Sequence, residues 1–151
     1  MVMNSEQTVD ESELSLKLLV VLLKANHAVM DLDRKNIRTY GLNPTEFAVL
    51  ELLFHKGEQP IQQIGKRILL TSGSITYVVD KLEEKGLLER KRCPKDRRVI
   101  YAAITEKGKT LMRDVFPQHR QAVNEMFKEL TLEEKKELVS LLKKLGLSLK
   151  G

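Results

Sequence analysis

The chain has one cysteine, four prolines and eight glycines among 151 residues, and each scarcity excludes something. Lone Cys93 cannot close an internal disulfide, so this is no disulfide scaffold; with no signal peptide in view, the expected compartment is a reducing cytoplasm. The longest apolar run near the start, Leu18 to Leu23, is far too short to span a bilayer and follows acidic residues, so no membrane partner is expected. His27, His55 and His119 are scattered, and no Cys or His pair has ligand spacing, so neither metal nor cofactor is expected. A Gly-rich phosphate loop, a G-x-S-x-G elbow and H-E-x-x-H are all missing. Carboxylates such as Glu133, Glu134 and Glu137 follow a helix-surface pattern, which a solvated face explains. No nucleophile has a base beside it, and the reading is not an enzyme.

What is present fits one helix-rich domain: 42% of residues are apolar, 31% are charged, and the length allows one sizeable core. Met1 to Asp10 carry no period and read as a frayed tail. From Glu11, Leu14, Leu18, Val21, Leu22, Ala25, Val29 and Leu32 recur at helical spacing, in a helix that runs to Tyr40 and ends at Gly41. Asn43-Pro44-Thr45-Glu46 is a helix start with a capping box, followed by a stripe of Phe47, Leu50, Leu53 and Phe54. Lys56-Gly57-Glu58 closes that helix, and Pro60 opens a short one carrying Ile61, Ile64 and Ile68. Thr71 caps the next, whose Ile75, Val78, Val79 and Leu82 keep the i, i+3, i+4, i+7 spacing until Gly86.

After Gly86 the period falls towards two. Leu87 to Cys93 and Arg98 to Ile104 read as two strands joined by a turn at Pro94-Lys95-Asp96-Arg97. Thr105-Glu106-Lys107-Gly108 leads into a helix with Leu111, Met112, Val115, Ala122, Val123, Met126 and Phe127, expected to kink near Phe116 because Pro117 lacks a donor. Thr131-Leu132-Glu133-Glu134 boxes a last helix bearing Leu138, Leu141, Leu142 and Leu145.

A tight helix pair followed by a basic hairpin is the layout of a winged helix-turn-helix, whose second helix enters the major groove of duplex DNA. With its apolar stripe buried, the helix from Thr71 to Lys85 turns Ser74, Tyr77 and Lys81 outward, with Gly73 and Thr76 beside them. Hydroxyls read donor or acceptor edges, and lysine takes guanine or phosphate. A solvated amphipathic helix would look the same. The hairpin decides between them, because Arg90, Lys91, Arg92, Lys95, Arg97 and Arg98 face only Glu89 and Asp96. Between Lys66 and Lys109 there are 12 basic and 6 acidic residues, a net of +6, while the rest of the chain nets −1. An arginine at such a tip suits the narrow, negative minor groove. Charges on hairpins also deter edge aggregation, but that leaves the adjacent hydroxyl-rich helix unexplained.

Four spaced signatures now stand in order: Ser74-Ile75-Thr76; Val79-Asp80-Lys81-Leu82-Glu83-Glu84-Lys85-Gly86-Leu87-Leu88-Glu89-Arg90; Asp96-Arg97-Arg98; and Ile104-Thr105-Glu106-Lys107-Gly108. Together they resemble the MarR family of bacterial transcriptional regulators, over Leu14 to Leu145. The resemblance implies a mainly α winged helix-turn-helix with a two-stranded β wing, in a single domain of residues 1–151. Residues 11–40 and 106–151 would be dimerisation helices and residues 41–105 the DNA-binding part. It implies a homodimer whose Ser72, Ser74, Thr76, Tyr77 and Lys81 contact the major groove, with Lys95, Arg97 and Arg98 in the wing and Arg98 in the minor groove. Asp96 would brace the wing against Arg90. Two such heads about 34 Å apart read a pseudopalindrome. Gly65, where the family often has Ala, and Gly73 are departures from its pattern.

Family members are released from DNA by a small aromatic or phenolic effector or by oxidation of a cysteine. The candidate effector walls are Asn26, His27 and Met30 from the first helix, Phe47 and Phe54 from the second, and Phe116 with His119 near the kink; the apolar ones also read as plain core. Cys93, flanked by Arg92, Pro94 and Lys95, is the redox candidate, although it lies in the wing and has no resolving partner. Gly41 to Leu50 and Leu70 to Lys81 resemble the methylhydroquinone-resistance branch of the family, which implies control of quinone or aromatic-compound detoxification. A winged-helix protein-interaction module is the other open reading.

Overall fold

The computed structural model describes residues 10–68 and 72–150, apart from the side chains at 72 and 73. The tail over residues 1–9, the cap at Thr71 and the side chain of Ser72 therefore lie outside the described residues. The elements are α1 (Glu11–Arg38), α2 (Pro44–Lys56), β1 (Gln59–Pro60), α3 (Ile61–Arg67), α4 (Ser72–Glu84), β2 (Leu88–Arg92), β3 (Ile100–Ile104), α5 (Glu106–Met126) and α6 (Leu132–Leu149).

Local chemistry sets the helix ends. The Asn43 side chain accepts from Glu46 N at 2.8 Å while Glu46 Oε1 accepts from Asn43 N at 3.1 Å, the reciprocal box that the spacing predicts. Thr131 and Glu134 build the same box at α6, and the Thr131 amide, then its hydroxyl, holds the Glu134 carboxyl below its ordinary range. Gly86 takes φ +74° where α4 stops, a left-handed turn that β-carbons resist. Thr105 caps α5 by accepting from Gly108 N. The helix α5 runs on through Pro117 without interruption to Met126.

The two-stranded wing is present, and a third strand joins it. The sheet has three strands in the order β1-β3-β2, all antiparallel, with Gln59 opposite Ala102 and Pro60 opposite Tyr101. The residue before a proline is held extended, so Gln59 presents an edge that β3 can pair. Two residues are too short to show a period. The wing ladder runs from Leu88↔Ile104 to Arg92↔Ile100, shorter at the tip than the sequence reading because residues 93–99 turn.

One core lies between α2, α4, α5, the sheet and the end of α1, built on Ile37, Phe47, Leu50, Leu53, Ile64, Ile75, Val79, Leu82, Leu88 and Met112. The N-terminal half of α1 and all of α6 stand outside it. Leu14, Leu18 and Val21 are 54%, 58% and 53% exposed, and Leu138, Leu141 and Leu142 are 41%, 55% and 43% exposed. Their helical stripes are real but lie outside that core; Leu138 and Leu142 share an open groove with Val123 and Phe127 of α5. No helix among the described residues is long and apolar enough to cross a membrane.

Candidate nucleic-acid interface

The helix α4 is seated by Ile75, Val78, Val79 and Leu82, all buried, which turns Ser74, Thr76 and Tyr77 outward. Tyr77 is 62% exposed, a large ring turned towards solvent. The Lys81 ammonium lies 5.6 Å from the Tyr77 ring centroid and 3.5 Å from Glu84, so it sits over the same face.

Wing and helix converge on one cleft of about 270 Å³. Gln62 from α3, Thr76 from α4, and Arg90, Arg98 and Ile100 from the wing line it. Gln62 had no sequence signal, since a polar residue on a short helix has no period to expose it. At the tip, Asp96 Oδ1 accepts from Arg98 N at 3.0 Å, and Val99 N donates to Asp96 O at 3.1 Å. This Asx turn leaves the Arg98 side chain 95% exposed, its Nε 4.0 Å from Asp96. Lys95 and Arg97 are exposed beside it.

Arg90 does not meet Asp96. It sits mid-strand opposite Ala102, while Asp96 lies beyond the end of the ladder. Its guanidinium instead reaches α4, with Nη2 2.5 Å from Asp80 Oδ1 and Nη1 2.9 Å from Glu83 Oε1. Burial works against its charge, but the Asp80 hydrogen bond and the charges of Asp80 and Glu83 outweigh it and raise its pKa. Asp96 thus shapes the tip, and Arg90 clamps the wing to the recognition helix.

The proposed effector walls divide in two. Phe47, Phe116 and His119 come together, with ring centroids 4.5 Å apart for Phe47 and His119 and 6.4 Å apart for Phe116 and His119. Phe54 joins through His55, which stacks edge-on to both it and Phe116. Asn26, His27 and Met30 lie instead on the exposed part of α1. The sequence reading missed Asp33, whose Oδ1 lies 3.8 Å from His119 Nδ1; both atoms are buried and have no hydrogen-bond partner among the described residues. Cys93 is half-buried, its amide donating to Val99 O at 3.0 Å. Among the described residues no group of three His, Cys, Asp or Glu side chains could hold a metal ion.

A recognition helix, a basic wing and a three-stranded sheet define a winged helix-turn-helix regulator. The chain belongs to the MarR family: the MarR family model matches residues 42–100. It is 57% identical over 139 residues to the HTH-type transcriptional regulator MhqR of Bacillus subtilis, covering 92% of this chain and 96% of that protein. It is 30% identical over 113 residues to the transcriptional repressor MprA of Escherichia coli, covering 74% of this chain and 64% of that one. In fold it superposes on a mutant MarR from Escherichia coli complexed with operator DNA, with a TM-score of 0.79 at 23% identity, covering 90% of this chain and 98% of that one. These relatives are regulators of transcription, not enzymes.

Proposed function

We propose that this chain is a homodimeric repressor that occupies a pseudopalindromic operator in the cytoplasm until a small aromatic, phenolic or quinone-type molecule releases it. The observation that carries the reading is the shared cleft of Thr76 and Arg98. A helix with exposed hydroxyls, Tyr77 and Lys81 stands next to a tip that projects an unshielded guanidinium. That is the pairing needed to read a major groove and hold the flanking minor groove at once. Ser72, Ser74, Thr76, Tyr77 and Lys81 are the major-groove set, with Lys95, Arg97 and Arg98 in the wing.

The exposed leucines of α1 and α6 support the dimer, since a monomer rarely leaves so long an apolar stripe in water. The Phe47, Phe116 and His119 cluster, with the unpaired atoms of Asp33 and His119 at its edge, supports an effector that carries a ring and a hydroxyl. The name of the Escherichia coli relative, a transcriptional repressor, fits repression.

The test is selection of bound duplexes from a randomised DNA pool, followed by anisotropy titration against the selected and a scrambled duplex. The expected result is a palindromic consensus bound by two chains, with affinity falling steeply as salt rises. Equal affinity for both duplexes would refute a sequence-reading role. Release by methylhydroquinone at unchanged salt tests the effector class.

A further inference from the structure

The C-terminal end of α4 is tied to two other parts of the molecule through one residue. Glu46 is only 4% exposed; its Oε1 completes the α2 capping box, and its Oε2 accepts from Lys85 Nζ at 2.7 Å. The same ammonium lies 3.4 Å from Gly41 O, at the corner where α1 turns into α2. The backbone of Lys85 faces the other way: its carbonyl accepts from Lys107 Nζ at 2.9 Å, and the next carbonyl, of Gly86, accepts from Thr105 Oγ1 at 2.6 Å, both at the start of α5.

The helices α1 and α5 pack on each other, and the N-terminal half of α1 extends beyond the core as an exposed apolar arm. The recognition helix therefore meets the arm at a charged joint, pinned on one side by the α1–α2 corner and on the other by the α5 cap. A buried carboxylate with one cationic partner permits one arrangement, because sliding the helix would strand the charge.

We propose that Lys85 is a positioning residue: through Glu46 it fixes the recognition helix relative to the helical arm and so sets the half-site spacing the protein accepts. This rests on the dimeric reading above. Lys85 touches no DNA in this scheme. One base pair added between half-sites turns the second site by about 35° and moves it along the axis, so a rigid joint rejects it and a loose one follows it.

The experiment uses the full-length protein and the duplex selected by it, with versions carrying one base pair more or less at the centre, and a scrambled duplex. The variants are Glu46→Gln with Lys85→Met, which leaves no buried charge stranded and keeps a side-chain acceptor for the cap, and Lys85→Arg, which keeps the ion pair. The parent should prefer its own spacing by about tenfold or more. The double variant should lose most of that preference while binding scrambled DNA with the parent's affinity and salt slope, and Lys85→Arg should keep the preference. Thermal melts establish that both variants are folded.

A parent indifferent to spacing would overturn the dimeric reading and this inference with it. A folded double variant as selective as the parent would overturn this inference alone. Equal losses on all duplexes with a shallower salt slope would make Lys85 a phosphate contact and likewise overturn it. Should the double variant not fold, Glu46→Gln alone carries the same comparison, since it removes the buried charge and leaves the Lys85 ammonium, whose side chain is 41% exposed, to water.

Discussion

Arg90 on β2 and Asp80 on α4 are joined by a hydrogen-bonded ion pair of 2.5 Å, which locks the wing against the recognition helix. Glu83, almost one turn further along α4, takes the other guanidinium nitrogen at 2.9 Å. One guanidinium thereby offsets half the charge of two carboxylates beside the exposed face of α4, a charge that would otherwise repel phosphate more strongly.

Arg90→Met should accordingly weaken operator binding without removing a DNA contact. The clamp is partly exposed, so its loss should lower the unfolding free energy by about 1–2 kcal/mol. The larger effect should be on affinity. Neutralising the released acids with Asp80→Asn and Glu83→Gln in the same background should restore part of it, measured by anisotropy at one salt concentration. A clamp variant that binds as the parent does would mean that neither the lock nor the freed charge matters.

Arg98→Ala should behave differently. Its side chain is 95% exposed and its backbone amide, not its guanidinium, holds the turn through Asp96, so urea unfolding should be unchanged. Operator affinity should fall, and the slope of log K against log salt should become shallower by about one for one lost phosphate neutralisation. Unchanged slope and affinity would remove Arg98 from the interface.

Much of this arrangement was legible in sequence, because it obeys local rules. The capping boxes at Asn43 and Thr131 rest on three-residue spacings, and the seat of α4 on the helical recurrence of Ile75, Val78, Val79 and Leu82. What sequence did not show was set by tertiary neighbours. Gln59 and Pro60 pair with β3 only because the chain brings that edge past it. The family resemblance implies Asp96 as the partner of Arg90, but strand register places Arg90 beside α4. Asp33 and His119 are 86 residues apart and meet only where α1 crosses α5.

Gly108→Ala should destabilise the wing junction. A β-carbon there would stand 2.3 Å from the Leu87 carbonyl oxygen and 2.6 Å from Ile104 Cγ1, and the first of these is backbone that cannot swing aside. Overpacking of this kind costs about 1–3 kcal/mol, read as a lower urea midpoint with little change in slope. A variant as stable as the parent would show that α5 can shift away from β3.

The cap of α6 should show acid sensitivity with a defined sign. The folded Glu134 carboxyl sits below its ordinary range, held by the Thr131 amide and hydroxyl, so the stabilisation is complete above the unfolded pKa and is lost as pH falls through the folded one. The melting-temperature difference between parent and Glu134→Gln should be constant near neutrality and shrink below about pH 4.3. A difference that grows on acidification would contradict the cap.

Leu18→Asp combined with Leu142→Asp should separate assembly from folding. Both leucines are exposed in the single chain, at 58% and 43%, and neither belongs to the core on which α2, α4 and the sheet rest. Within one chain the two charges would therefore meet water and change little. Across a two-fold interface each would be buried twice without a counter-ion, a penalty large enough to dissociate the pair. The expected outcome in sedimentation is a folded monomer that still binds scrambled DNA weakly but has lost the preference for the palindromic duplex, since one head reads one half-site. A variant that still sediments as a dimer would place the interface elsewhere, and one that fails to fold would show that α1 and α6 complete the core only when paired.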